Sequence, residues 1–130
     1  MLYVNATVGL SKIHGFGLIA RENIALGLLV WEFCPGFDLV IAPEQLAQLS
    51  GAAQQQVRHY GTLRKPWGGF LLSSDDARFT NHSDTPNVIL DGFRLYAACT
   101  IQSGEEITLD YDQLRQFSQI PIPLKDGADC

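Results

Sequence analysis

The chain is short of several things, and each shortage excludes something. No apolar run reaches the ~18 residues of a membrane-spanning helix, so no membrane association is expected. The opening Met1-Leu2-Tyr3-Val4-Asn5 has no lysine or arginine and does not read as a secretory leader. Cysteines number three: Cys34, Cys99 and Cys130. No pair is spaced for zinc, and the odd count argues against a disulfide framework. The expectation is free thiols in a reducing cytoplasm. Basic charge is scarce: 9 Lys and Arg stand against 14 Asp and Glu, a net −5. Nucleic-acid-binding domains carry basic surfaces, so direct nucleic-acid binding is not expected. There are no internal repeats and no low-complexity tracts.

What is present fits one globular domain. The chain has 130 residues, 46% hydrophobic and 18% charged, which is neither disordered nor fibrous in composition. A domain of this size buries roughly two-thirds of its unfolded surface. Its acidic balance favours a basic partner.

Short apolar runs broken by turn residues dominate the order of the chain. Residues 2–8, 17–24, 28–33, 37–41 and 69–73 read as strands. Asn87 to Leu90 and Phe93 to Ala98 flank Asp91-Gly92, a hairpin signal. Ile107, Leu109 and Tyr111 alternate with Thr108 and Asp110, a strand pattern ending at the tyrosine. One helical insert interrupts the strands at about residues 42–61. Pro43 suits its first turn, Leu46 and Leu49 share a face, and Gly61 is placed to cap it. Tyr96, Trp31 and Trp67 read as packing residues. The tail, residues 119–130, has two prolines and little to fix it. The class is α+β, mostly β, with one domain over residues 1–118.

One stretch resists this scheme. Arg78-Phe79-Thr80-Asn81-His82-Ser83-Asp84-Thr85-Pro86-Asn87 is polar and turn-forming, yet apolar runs flank it. By composition it is either a surface loop or a polar site on a rigid scaffold. Two more segments bear on that choice: His14-Gly15-Phe16-Gly17-Leu18, and Gly104-Glu105-Glu106-Ile107-Thr108-Leu109-Asp110-Tyr111. Together the three blocks resemble the signature of the SET-domain protein-lysine methyltransferases, over roughly residues 8 to 112. The Gly-x-Gly alone carries no weight; the later two blocks at this spacing are specific. The resemblance is to minimal members without flanking zinc modules. It implies a fold of several small sheets, with the two C-terminal motifs threaded in a knot-like arrangement.

The resemblance also implies chemistry. S-adenosylmethionine would be the cofactor and a lysine-bearing, basic protein segment the substrate. Gly15, Phe16 and Gly17 would contact the methionine end through the main chain; otherwise they form a plain turn. Asn81 and His82 would hold the cofactor's amine and adenine; the bland alternative for His82 is a buried histidine bonding a neighbouring strand. Ser83 and Asn87 read as holding the loop's own backbone. Tyr111 matches the catalytic tyrosine, and Tyr60 lies about where minimal members place a second one. Either could instead be a core aromatic. Asp84 stands where many members have a zinc-ligating cysteine, so no metal is expected. A cover for the substrate channel would come from Phe117 or from a second subunit in a homodimer. Glu105 and Glu106 cannot act as a paired acid and base, because neighbours on a strand face opposite ways. The competing reading is a binding module that keeps the fold, with or without the cofactor, and no longer methylates.

Overall fold

Val88–Asp91 and Arg94–Ala97 show how this sequence builds its sheets. Val88 and Ala97 are fully buried, while Asp91 and Arg94 pair in register at the exposed end. Gly92 takes φ +58 there, a conformation that glycine adopts without a Cβ clash. The computed structural model describes residues 1–64 and 68–115. The expected tail, Trp67 and Phe117 lie outside the described residues.

The described strands are β1 (Ala6–Leu10), β2 (Phe16–Ala20), β3 (Leu29–Glu32), β4 (Leu39–Ile41), β5 (Thr62–Arg64), β6 (Gly69–Leu72), β7 (Asn81–His82), β8 (Val88–Asp91), β9 (Arg94–Ala97) and β10 (Glu106–Leu109). They form three small sheets. Their orders are β1-β2-β10-β7, β3-β9-β8 and β4-β6-β5. In the first, β10 enters between β2 and β7. It runs antiparallel to β2 and parallel to β7, pairing Thr108 with Asn81 and Leu109 with His82. This is the mostly-β class, with several small sheets, that the sequence predicts.

The core lies between the first two sheets. Leu18, Ile24, Val30, Val88, Cys99, Ile101 and Ile107 are at most 1% exposed. Trp31 joins this cluster, as a packing residue should. Cys34 is a free thiol, whereas Cys99 is disulfide-bonded. The expectation of free thiols therefore fails at Cys99; a single cross-link leaves no spacing pattern to read.

The helical insert contains α1 (Pro43–Ala47) and α2 (Gly51–Tyr60). Ser50 separates them and caps α2, its side chain accepting from the Ala53 N–H at 3.2 Å. Gly61 ends α2 for a different reason from the one expected. Its φ is −82, not left-handed. A Cβ there would instead collide with the Val57 carbonyl oxygen, so glycine is needed for close approach. A second departure concerns Tyr111. The strand ends at Leu109, and Tyr111 opens α3 (Tyr111–Arg115).

Candidate active site

Asn81 and His82 occupy β7, a two-residue strand too short to stand alone. Neighbouring segments fix it from both sides. Before it, a 3-10 turn at Asp76–Phe79 is capped by the Asp75 side chain, which accepts from the Ala77 N–H at 3.1 Å. After it, buried Asn87 donates through Nδ2 to the Glu106 carbonyl and accepts at Oδ1 from the Thr108 N–H, both at 2.8 Å. Asn87 therefore ties the polar loop to β10 rather than to itself, which corrects the expectation for that residue. Ser83 does hold its own loop, accepting from the Thr85 N–H at 3.1 Å.

The first glycine-containing block meets this strand at Asn81. Nδ2 of Asn81 lies 2.9 Å from the Phe16 carbonyl, and 3.1 Å from the His14 carbonyl, Ser11 Oγ and Glu106 Oε1. Four acceptors around one NH2 group fix which end of the amide is nitrogen. Oδ1, the other end, has no hydrogen-bond partner among the described residues, and Asn81 lines a cavity.

That cavity has a volume of about 520 Å³. Gly15, Phe16, Tyr60, Asn81, His82 and Tyr111 all line it. The structure thus brings together six of the seven residues singled out from the sequence, drawn from β2 and its approach, α2, β7 and α3. Gly17 is the exception. It is buried behind the wall, and a Cβ there would overlap the Glu106 carboxylate.

Tyr111 is held by three contacts. Its hydroxyl donates to the Thr80 carbonyl at 2.6 Å, its N–H donates to His82 Nδ1 at 3.0 Å, and its ring lies 5.3 Å from the His82 ring. Burial pushes the phenol above its usual pKa, and the Glu106 carboxylate adds to the shift. Because Nδ1 of His82 accepts, Nε2 carries the proton toward Asp84 Oδ1 at 2.9 Å. Both ring nitrogens of His82 are therefore engaged within the chain, although its side chain is 39% exposed and its partners lie in the loop and at the start of α3 rather than on a neighbouring strand. Asp84 is bonded to His82 at the position where a zinc-ligating cysteine is common. Among the described residues, no three His, Cys, Asp or Glu side chains are grouped to hold a metal ion.

Tyr60 packs edge-on to Phe79, ring centroids 5.4 Å apart at 71°. The Arg78 guanidinium lies 5.7 Å from the Tyr60 centroid and 5.1 Å from that of Phe79, within reach of cation–π attraction. It makes no ion pair among the described residues. Reading the sequence missed Arg78, Phe79 and Glu106 as site residues. The signal for the first two was available, since they open the same polar block. Glu106 carried none, because its reach into the site depends on an empty space at Gly17.

Comparison with known proteins bears on the family and the fold. The SET domain profile matches residues 15–112. An H3 lysine-36 specific histone-lysine N-methyltransferase of Yarrowia lipolytica is 31% identical over 121 residues, which cover 85% of this chain and 16% of that protein. An H3 lysine-4 specific enzyme of Schizosaccharomyces pombe is 31% identical over 134 residues, covering 87% of this chain and 13% of the relative. The chain thus spans under a fifth of the length of these relatives. Among solved structures, a Plasmodium falciparum protein provisionally assigned as a histone methyltransferase superposes with a TM-score of 0.58 at 23% identity, over 85% of this chain and 95% of that one. Chaetomium thermophilum Polycomb Repressive Complex 2, autoinhibited and bound to S-adenosylmethionine, gives 0.61 at 19% identity, over 85% and 15%. At such identities the superpositions establish the fold alone. With the profile spanning most of the chain, and its motif blocks meeting at one cavity, the chain belongs to the SET-domain family.

Proposed function

We propose that this protein transfers a methyl group from S-adenosylmethionine to the side-chain amine of a lysine in a basic protein segment. The observation that carries this reading is the shared cavity: Asn81, Tyr60 and Tyr111 face one space beside the Gly15-Phe16 backbone. Sequence separations of 44 and 51 residues between these side chains make the convergence a product of the fold (Phe16 to Tyr60 to Tyr111).

The residues present suit the cofactor. Its amino-acid end carries an ammonium and a carboxylate. Asn81 Oδ1 offers an unspent acceptor to the first. Arg78, which makes no ion pair among the described residues, offers its guanidinium to the second. Phe79 and Tyr60 give an apolar, aromatic wall. When bound, the cofactor supplies an electrophilic methyl group on a sulfonium.

The chain's own part is to deliver a neutral amine along the right line. Lysine has a pKa near 10.4, so neutralising it at pH 7.5 costs on the order of 4 kcal/mol. Tyr60 and Tyr111 reduce this by walling off solvent, and phenol oxygens orient an amine by hydrogen bond. Tyr111 serves as a positioned phenol rather than a base, since burial and Glu106 hold its proton on. Solvent then takes the lysine proton. Asp84, 97% exposed, and Asp110 add negative charge beside the site, which favours basic sequence around the target. The histone enzymes among its relatives act on protein lysines, and histone tails belong to that substrate class.

Calorimetry with S-adenosylhomocysteine tests the cofactor assignment. Wild type should bind and Asn81→Ala should bind at least tenfold more weakly; equal affinities would remove Asn81 from the site. Transfer of a labelled methyl group to mixed basic proteins separates an enzyme from a binding module of the same fold.

A further inference from the structure

Glu106 is an unusual partner for Asn81. It lies on β10, 25 residues downstream of Asn81, and is only partly buried. Its Oε1 stands 3.1 Å from Asn81 Nδ2, beside three neutral oxygens from Ser11, His14 and Phe16. Two N–H groups are shared among four acceptors, of which Glu106 alone is charged. Hydrogen bonds to a charged acceptor are roughly twice as strong as neutral ones. They also polarise the donor, which makes the far oxygen of the same amide a better acceptor.

The carboxylate reaches Asn81 only because residue 17 has no side chain. A Cβ on Gly17 would sit on Glu106 Oε1 and 3.2 Å from Asn81 Nδ2. Gly17 does not line the cavity, so making room for a ligand does not account for it. Its neighbours are the amide and the carboxylate. One residue from each of the three sequence blocks therefore meets at this point: Gly17, Asn81 and Glu106.

We propose that Glu106 is a positioning residue for cofactor capture. Seated in the space left by Gly17, its carboxylate holds and polarises the Asn81 amide so that Oδ1 faces the cavity to accept from the cofactor's ammonium group. The inference rests on the cofactor reading above and adds to it a residue that never touches the ligand.

Two ligands test it on the full chain. S-adenosylhomocysteine carries the ammonium; 5′-methylthioadenosine keeps the adenosine and the sulfur but lacks the amino acid. Glu106→Ala should weaken S-adenosylhomocysteine at least fivefold and 5′-methylthioadenosine less than twofold. Gly17→Ala should do the same, because its Cβ evicts the carboxylate. The double variant should be no weaker than the weaker single one, the non-additivity expected of a shared contact. Equal losses for both ligands would mean general damage to the cavity and would overturn the proposal, as would full retention of S-adenosylhomocysteine affinity. Should Glu106→Ala fail to fold, Glu106→Gln keeps the shape and removes the charge. The Asn81 side-chain NH2 signals of ligand-free protein should then move in a 1H–15N spectrum; unmoved signals overturn the proposal. Wild type that binds neither ligand overturns the cofactor reading and the capture role with it, whereas the amide signals still report whether the contact with Glu106 exists.

Discussion

Tyr111 already has a hydrogen-bond partner before any substrate arrives. Its hydroxyl donates to the Thr80 carbonyl, which leaves the lone pairs of the oxygen for an incoming amine. Burial and the Glu106 charge raise the phenol's pKa above 10, so the group stays protonated through the neutral and mildly alkaline range. Activity should therefore rise from pH 7.5 to 9 as more substrate lysine becomes neutral, with no loss from Tyr111 ionisation. Tyr111→Phe keeps the ring and removes the oxygen. It should lower turnover at least tenfold, roughly 1.4 kcal/mol of barrier, with S-adenosylhomocysteine affinity nearly unchanged. A variant as fast as wild type across that range would move the catalytic role to Tyr60. The same shift has a sign for stability. A phenol with a raised folded-state pKa contributes stability below pH 10 and loses it as pH climbs through the folded value, so Tyr111→Phe should flatten alkaline unfolding curves.

Elements were legible where a local pattern sufficed. Apolar runs on either side of Asp91-Gly92 marked β8 and β9, and Pro43 with Leu46 marked the helical insert. β5 was missed because Thr62-Leu63-Arg64 is too short to show a period; only pairing with Phe70 and its neighbours makes it a strand. Tyr111 was assigned to a strand because alternation continued past Leu109, yet Asp110 turns the chain: its Oδ1 accepts from the Asp112 N–H at 2.9 Å. The residues that line the cavity were readable from their blocks, but their connections were not. Asn87 looked like an ordinary turn former. Its two bonds to β10 join residues 19 and 21 positions apart, which no local rule detects. Asn87→Ala leaves the Glu106 carbonyl and the Thr108 N–H unsatisfied in a buried place. A loss of about 2–4 kcal/mol is expected, measured as a lower urea midpoint with unchanged slope. A stability within 0.5 kcal/mol of wild type, the range of ordinary surface changes, would show that the loop is held by other means.

At the scale of the whole molecule, apolar side chains stand exposed on the rim of the cavity. Ile13 is 52% exposed, Phe16 59%, and Leu10, paired with Phe16, 82%. Exposed apolar side chains grouped beside a site are suited to contact with another surface. We expect a second subunit to cover this rim, and light scattering at micromolar concentration should report a dimer. Phe16→Asp should then give monomers. A wild-type monomer with full activity would mean that one chain closes its own channel.

The position of β10 has a consequence for synthesis. The strand at the centre of the first sheet is the last of the described strands to leave the ribosome. Until it emerges, β2 has an open edge where Leu18 and Ile19 will pair, and β7 has no partner at all. The gap between β1-β2 and β7 can be closed only by residues near position 108. A nascent chain therefore carries most of the fold's apolar mass before the cavity is complete. Its unpaired edge is the kind of surface that invites aggregation before the final strand inserts. Tyr111, the phenol proposed to orient the amine, follows Leu109 by two residues, so assembly of the sheet and completion of the cavity become one event once this segment has emerged.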